Sequence, residues 1–442
     1  MLATDNHTLK KELQTRLRNL LKIGAIQVNI MTKLDRMNYS AKGEELPEEY
    51  SDALAALRGY AKSTLHSAIV FSAGINRRLY SYVEKFDDFY ADTSGYIKKK
   101  IILKVSDYRS AIIQGKFFAK KGIWVSEFRI ESGLNCGGHA FASEGYLLGP
   151  ILEEFKRKKD ELVDALHSIY TSALKNKNRP IFNDPLPVDI TVQGGVGTAL
   201  EHNFLLNYYN VQSVGWGSPF LLVPQATNVD IPTLMKLSKA KEEDLYLSEI
   251  SPLGVPFNNL RDNFSDLEKE RRAQNNKPGS PCPKGHLVSN TEFTEKPICT
   301  ASRQYQKLKV EQLEGQNLPR DEFNRAFEKV ITKACICNDL GEAVLIKNHI
   351  DEGRKKRFSA ICPGPNIAYF SKIASLQEMI GHIYGRLNLL NNQYRPNMMI
   401  KELHLYIEYF KKEVKGCYED LTEKNKEYVN RFYTNMLDGI DY

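Results

Sequence analysis

Short apolar, β-branched runs alternate with longer amphipathic stretches in the first half of the chain, and this alternation constrains the fold more than any other feature. Apolar residues at three- and four-residue spacing are typical of helices, whereas short β-branched runs are typical of buried strands. Strands that alternate with helices form parallel sheets, because each helix carries the chain back across one face. The sequence therefore predicts strands at 24–31, 67–74, 99–106, 122–130, 187–194 and 213–221, with helices at 8–22, 48–62, 107–119, 147–175 and 198–209.

The count of predicted strands indicates which parallel architecture to expect. A TIM-type (β/α) barrel closes with eight strands, and six are visible here. The start of the chain is followed almost at once by the helix that precedes the first predicted strand, so the two other units are expected upstream of it. We therefore predict an α/β fold, a TIM-type barrel incomplete at the N-terminus.

The second half of the chain has a different character. A helix is predicted over 233–246, followed by a turn-rich loop at 251–256 and a polar, cysteine-containing stretch. Helical patterning then dominates from residue 376 onward, as in 400–410. This organisation predicts a barrel over 1–265, an insertion or lid over 266–345, and a covering loop with a helical C-terminal cap over 346–442.

Composition excludes several classes of protein. With 42% hydrophobic and 26% charged residues, the chain falls in the ordinary globular range. Its net charge of +7 is spread thinly, so nucleic-acid binding is not predicted. No apolar run approaches the roughly 20 residues that cross a bilayer. Seven cysteines argue against a secreted disulfide scaffold, and a cytoplasmic protein without a membrane partner is predicted.

Three predicted strands end in glycine-rich segments. Residues 131–139 read Glu-Ser-Gly-Leu-Asn-Cys-Gly-Gly-His, residues 192–198 read Val-Gln-Gly-Gly-Val-Gly-Thr, and residues 214–220 read Val-Gly-Trp-Gly-Ser-Pro-Phe. Glycine lets backbone N–H groups approach a phosphate closely, and adjacent strand ends of a barrel can build one phosphate site. A tight turn without a ligand is the alternative for each segment taken alone.

These segments resemble the nitronate monooxygenase (2-nitropropane dioxygenase-like) family. Residues 131–139 are similar to its E-G-x-x-A-G-G-H pattern, 189–198 to its strand that ends in A-G-G, and 211–220 to its G-V-x-x-G-T-x-F. The family's threonine in G-T is Ser218 here, its alanine before Gly-Gly-His is Cys136, and its opening Gly-Gly-Met strand has no counterpart. The resemblance implies an FMN-dependent barrel enzyme that oxidises nitronates or nitroalkanes with dioxygen.

The resemblance also assigns roles to residues. His139 would be the catalytic residue, because a neutral imidazole can take a proton from a carbon acid. A histidine that only hydrogen-bonds its own loop is the alternative. The residues implied to bind the cofactor FMN are Asn29, Lys104, Gly137, Gly138, Gln193, Gly194, Gly195, Gly197, Gly215, Gly217 and Ser218.

Two other functions stay open at this stage. A flavin-dependent enoyl-ACP reductase that uses NAD(P)H would share the same loops. A catalytically incomplete barrel that binds a partner protein would also explain the absent first strands. The sequence leaves room for a homodimer.

The cysteines are a separate question. Cys282, Cys299, Cys335, Cys337 and Cys362 could bring thiolates together on a metal ion or an iron–sulfur cluster. The Cys-x-Cys spacing at 335–337 is shorter than the common Cys-x-x-Cys, and no regular second pair exists. Reduced thiols at loop and core positions are therefore the favoured interpretation, and no metal site is predicted.

Overall fold

The computed structural model describes residues 5–20, 24–29, 35–72, 75–135, 144–282, 284–350, 358–391, 394–419 and 422–442. The fold is α/β, and its main feature is a six-stranded sheet in which every pair is parallel. The strands lie in the sheet in the order in which they occur along the chain. Each crossover therefore advances by one strand in the same direction, as in a barrel wall.

The elements of the described residues are as follows. The six strands of the sheet are β1 Gln27–Asn29, β2 Ser67–Phe71, β3 Lys99–Val105, β4 Val125–Glu131, β5 Asp189–Gln193 and β6 Ser213–Gly215, and an antiparallel hairpin contains β7 Leu245–Ser248 and β8 Phe257–Leu260. The helices are α1 His7–Leu20, α2 Asp52–Ala61, α3 Arg77–Tyr82, α4 Tyr108–Ala119, α5 Leu148–Asn176, α6 Ala199–Tyr208, α7 Ile231–Leu237, α8 Phe264–Gln274, α9 Arg303–Gly315, α10 Arg320–Ile331, α11 Ile336–Lys347, α12 Leu376–Ile383, α13 Met398–Glu419 and α14 Glu423–Asp441. Within these described segments, no helix combines the length and the apolar character that a membrane crossing requires.

The predicted alternation of strands and helices is confirmed, with two corrections. Strand β6 ends at Gly215 rather than at 221, and residues 218–222 form a 3₁₀ helix. Pro219 explains part of this difference, because proline has no N–H to extend a ladder of hydrogen bonds. The helix predicted over 233–246 ends at Leu237, and its last residues belong to β7.

The sheet curls into a half-barrel. Arg129 on β4 donates a hydrogen bond to Gln27 on β1, with Nη2 and Oε1 2.6 Å apart. Three strand spacings of about 4.8 Å separate these strands along the sheet, so a flat sheet would hold the two side chains roughly 14 Å apart. Curvature brings them together across the concave face.

Helices pack on the convex face through apolar residues. Phe128 and Ile130, which alternate with the concave-face residues of β4, are fully buried in the main core. Gly115 lets α4 approach α5 and the sheet, because a Cβ there would lie 2.9 Å from Leu166 and 3.2 Å from Phe128. The convex face therefore supplies most of the core, and the concave face is left for polar residues.

The C-terminal helices form a smaller core of their own. Tyr406 on α13 packs against Phe432 and Met436 on α14, with Leu147 from the end of the loop before α5. Residues at the start of α13 reach the carboxyl ends of β4 and β5. The end of the chain thus lies against the edge at which the glycine-rich segments were predicted to meet.

Candidate functional site

Four predicted cofactor-binding residues share the concave face of the sheet. Residues paired in a parallel ladder point to the same side, and the pairings relate Asn29, Lys104, Gln193 and Gly215 in this way. All four lie at or next to the carboxyl ends of their strands. This is the edge at which barrel enzymes build their sites.

Glu131, the last residue of β4, organises this edge. Its Oε1 accepts hydrogen bonds from Lys104 Nζ at 3.0 Å, Asn135 Nδ2 at 2.8 Å and Gln193 Nε2 at 2.7 Å. The Glu131 side chain is only 4% exposed, so this ion pair with Lys104 is shielded from water. Two side chains predicted to touch the cofactor are therefore held in place by a buried carboxylate.

A second polar cluster lies deeper on the same face. Glu127 Oε1 accepts from Arg129 Nη2 at 2.6 Å and from Thr191 Oγ1 at 2.5 Å. Together with the bond from Arg129 to Gln27, these contacts connect β1, β4 and β5. The concave face is thus rigidly cross-linked below the carboxyl edge.

Part of the predicted site lies outside the described residues. This applies to the catalytic residue His139, to Gly137 and Gly138, and to Cys136. Their roles stay predictions from the sequence. The described segment before them ends at Asn135, beside Glu131.

Close backbone packing explains the glycine pair after β5. Gly194 and Gly195 have φ values of +106° and +79°, which strongly favour glycine. A Cβ on Gly194 would lie 2.9 Å from Cα of Asn135, and one on Gly195 would lie 2.8 Å from Cδ1 of Leu134. The loops after β4 and β5 therefore touch at the carboxyl edge, and larger residues would push them apart.

Three backbone donors at this edge have no acceptor among the described residues. The N–H groups of Gly195, Gly217 and Ser218 donate no hydrogen bond to any residue in the described ranges. Gly195 and Ser218 are nevertheless buried, and leaving a buried donor unpaired costs about 1–3 kcal/mol. Gln193 and Gly215 are ladder partners, so these donors follow directly adjacent strand ends. Such a group of N–H donors fits an anionic ligand, as the sequence predicts for a phosphate.

The N–H of Gly197, in contrast, has an acceptor within the protein. Its N–H donates to Oε2 of Glu201 at 2.8 Å, and Glu201 Oε1 accepts from Arg395 Nη1 at 2.6 Å. A Cβ on Gly197 would lie 2.6 Å from Cζ of Arg395. Both charged side chains are only 5% exposed. A protein carboxylate therefore takes the Gly197 donor at the start of α6, and the predicted phosphate would use the other three N–H groups.

Residues from the C-terminal part of the chain form hydrogen bonds with the backbone carbonyl groups of the turn after β5. Arg395 Nη2 donates to the carbonyl of Gly195 at 2.7 Å, Asn366 Nδ2 donates to that of Val196 at 2.8 Å, and His382 Nε2 lies 2.9 Å from that of Gly197. Leu389 donates its N–H to His382 Nδ1, so the proton of the neutral ring is on Nε2. Burial lowers the pKa of His382, which keeps the ring neutral.

Glu402 on α13 is another buried carboxylate that accepts a hydrogen bond from the start of a helix, in this case α5. It is 2% exposed, and its Oε1 accepts from Ser132 Oγ at 2.7 Å and from the Gly133 N–H at 3.0 Å. Its Oε2 accepts from the N–H of Leu148, the first residue of α5, at 2.7 Å. Burial raises the pKa of Glu402 above its ordinary value.

A cavity of about 620 Å³ lies between the β7–β8 hairpin and α13. Its wall includes the ion pair of Glu249 with Lys412 at 2.5 Å, and Lys333 donates to the Glu249 carbonyl at 2.7 Å. The bond from Lys412 lowers the pKa of Glu249, and burial lowers that of Lys333. Asn258 links this wall to the carbonyl of Asn135 at 3.3 Å, which places the cavity next to the edge that Glu131 organises.

Glu131, Glu201, Arg395 and Glu402 were not among the site residues predicted from the sequence. A signal existed for Glu131, because it is a carboxylate at the end of a strand, where barrel sites form. The others act through partners about 190 to 270 residues away along the chain, which no local pattern reveals. No protein-family model matches the chain, and comparison with the curated proteins finds no match.

Proposed function

We propose that the protein is an FMN-dependent oxidoreductase similar to nitronate monooxygenase, which oxidises nitronates or nitroalkanes with dioxygen. The half-barrel would be part of a TIM-type barrel. The observation that carries the proposal is the set of N–H groups of Gly195, Gly217 and Ser218 at adjacent strand ends, which have no acceptor in the part of the chain that the structure describes. FMN, when bound, would supply the transfer of electrons between the carbon acid and dioxygen.

The three N–H groups would hold the FMN phosphate. The charged side chains around them are already paired, since Arg395 neutralises Glu201 and Lys104 neutralises Glu131. Binding of a phosphate would therefore depend on backbone dipoles rather than on a free lysine or arginine among these residues. The polar concave face with Asn29, Lys104 and Gln193 would lie beside the ring.

His139 would remove the proton next to the nitro group. By the resemblance, the segment after β4 that contains Gly137 and Gly138 would carry His139 to the edge at which Glu131 and Gln193 lie. An imidazole accepts a proton only in its neutral form, so His139 would act as the neutral ring. Water exclusion would come from the C-terminal segment, in which Asn366, His382 and Arg395 cover the β5 turn.

We expect FMN to bind at least about 100-fold more tightly than riboflavin, which lacks the phosphate. Hydrogen bonds to a charged group contribute roughly 1.5–3 kcal/mol each, and about 2.7 kcal/mol corresponds to 100-fold in Kd. Ser218→Asp should abolish most of this preference, because its carboxylate would repel the phosphate. Flavin fluorescence titration of the wild type and the variant measures both values.

Ser213→Asp is the matched control, since Ser213 is the exposed first residue of β6, the strand that precedes Ser218. It should leave the ratio of the two affinities unchanged. A protein that stays colourless with saturating FMN would overturn the proposal in favour of a partner-binding barrel. Rapid bleaching of bound FMN by NADH or NADPH would instead identify an enoyl reductase.

His139→Ala is expected to lower kcat for nitronate oxidation by about 10² to 10⁴, the usual contribution of a general base. FMN content should stay the same, because a histidine above the ring is not needed for the phosphate contacts. Oxygen consumption by the FMN-loaded protein measures the rate, with His349→Asn as the control on an exposed helix end. Unchanged turnover in His139→Ala would show that the proton is taken elsewhere.

A further inference from the structure

Residues 276–302, between α8 and α9, form a long connection without helix or strand among the described residues. Two isolated bridges shape it, Ser280 with Ser302 and Asn290 with Ile298. Irregular segments longer than about 12–15 residues are uncommon in compact domains and are usually either functional or linkers. The buried hydrophobic cluster here contains only Leu287, Cys299 and Ala301, which is too small to hold such a segment by itself.

Four cysteines meet at this cluster. The thiols of Cys282 and Cys299 pair by a hydrogen bond, and so do those of Cys335 and Cys337. The two pairs lie close enough to interact electrostatically, since Cys299 interacts with Cys335, and Cys337 with both Cys282 and Cys299. Cys282 and Cys337 also pack on the same apolar residues. Two distant parts of the chain, 282–299 and 335–337, therefore bring four sulfur atoms together.

Hydrogen-bond donors of the protein point at three of the four sulfurs. The N–H of Gly285 donates to Cys282, the N–H of Ala301 donates to Cys299, and the hydroxyl of Ser280 donates to Cys335. Gly285 has a φ of +65°, which turns the backbone back toward the sulfur three residues before it. In metal sites, such contacts from outside the ligand set orient the ligands.

The start of α11 adds a further favourable field. Cys335 is at the N-cap position of this 12-residue helix without a side-chain capping hydrogen bond, and Cys337 lies in its first turn. The positive end of the helix dipole stabilises thiolates at that position. The start of α11 is thus a position at which two of the four sulfurs lie near a positive helix end.

We propose that Cys282, Cys299, Cys335 and Cys337 bind one Zn²⁺ ion as a closed, structural centre. Tetrahedral zinc with bonds of about 2.3 Å to sulfur places neighbouring sulfurs about 3.8 Å apart, a spacing that paired thiols can reach. The cysteines of an iron–sulfur cluster bind separate iron atoms and are held farther apart. Binding releases four protons from the thiols as four zinc–sulfur bonds form, with no change of oxidation state.

The ion would organise thiols that now form two pairs. Among the described residues, no three histidine, cysteine, aspartate or glutamate side chains already surround a point in a geometry ready for a metal. Protonated thiols have no reason to converge on a point, because they hydrogen-bond in pairs and only thiolates bind zinc. The centre would fasten the 276–302 connection to the start of α11, and it is independent of the proposed flavin site.

Metal analysis of the full-length protein tests the proposal without any variant. We expect about one zinc per chain after purification without chelators. Reconstitution with Co²⁺ should produce the visible bands of a tetrahedral thiolate site. Iron with acid-labile sulfide would overturn the assignment to zinc. Absence of metal together with a disulfide between any of the four cysteines would overturn the centre itself.

Substitutions of individual cysteines test which residues bind the ion. Cys299→Ala and Cys337→Ala should lower the zinc content at least about tenfold, whereas Cys337→His should restore most of it, because imidazole is also a zinc ligand. Cys362→Ala is the matched control, since Cys362 is a buried cysteine of a different cluster. The rescue by histidine separates loss of a ligand from loss of folding. Zinc that persists in both alanine variants would show that these sulfurs do not bind it.

Discussion

Arg395→Met is expected to lower the free energy of unfolding by about 3–5 kcal/mol, one of the two largest effects foreseen for this chain. The change leaves Glu201 as an unpaired carboxylate that is 5% exposed, and breaking a buried ion pair on one side costs this amount. It also leaves the carbonyl of Gly195 without the guanidinium that now donates to it. Urea unfolding followed by circular dichroism measures the loss.

A double-mutant cycle distinguishes the ion pair from packing. Glu201→Leu combined with Arg395→Met removes both charges, so the double variant should be clearly more stable than the sum of the two single losses predicts. Arg386→Met, at an exposed arginine near the end of α12, is the control and should change stability by less than about 0.5 kcal/mol. Additive losses would mean that the two side chains do not stabilise each other.

Glu402→Ala is expected to have a comparable effect, about 3–5 kcal/mol. Its carboxylate accepts from Ser132, Gly133 and Leu148, and removing it leaves three buried donors without an acceptor. Glu402→Gln should cost less, about 1–3 kcal/mol. Its amide carbonyl can still accept the hydrogen bonds of one carboxylate oxygen, either those of Ser132 and Gly133 or that of Leu148. The amide nitrogen would then face a backbone N–H, of Gly133 or of Leu148.

Glu408→Ala on the exposed side of the same helix is the matched control and should leave the free energy of unfolding nearly unchanged.

The contribution of Glu402 to stability should also depend on pH. Burial raises the pKa of Glu402, so the folded protein keeps its proton at pH values where the unfolded chain, with a pKa near 4.3, has lost it. The contribution of Glu402 is therefore fully present below about pH 4.3 and is lost as the pH rises through the folded pKa. Glu402→Gln should remove this part of the pH dependence, and an unchanged profile would contradict the assignment.

Local patterns in the sequence predicted the elements of the sheet, because the sheet follows a strict alternation of strand and helix. Helix α4 was predicted at 107–119 and spans Tyr108–Ala119, and α5 was predicted at 147–175 and spans Leu148–Asn176. The β7–β8 hairpin was missed, since its strands have four residues each and include the polar pair Asn258 and Asn259. Only the turn-rich loop between them was visible in the sequence.

The candidate site was predicted less completely, for a physical reason. Glycines at strand ends are a local signal, and the structure brings Gly195, Gly217 and Ser218 to adjacent ends of one edge. The pairing of Glu201 with Arg395 depends on folding contacts between residues 194 apart. The flavin phosphate, the catalytic His139 and the substrate stay predictions that the proposed experiments test.

The contact of Glu402 with the start of α5 has a consequence for synthesis of the chain. Leu148 is made 254 residues before its acceptor, and Ser132 270 residues before. A ribosome that adds about 5–20 residues per second needs on the order of tens of seconds to cover that distance. The sheet can form during this time. Until Glu402 is made, however, only water or dissolved anions can accept the hydrogen bond of the Leu148 N–H at the start of α5. Completion of the edge is therefore a late event, set by the arrival of one glutamate from near the end of the chain.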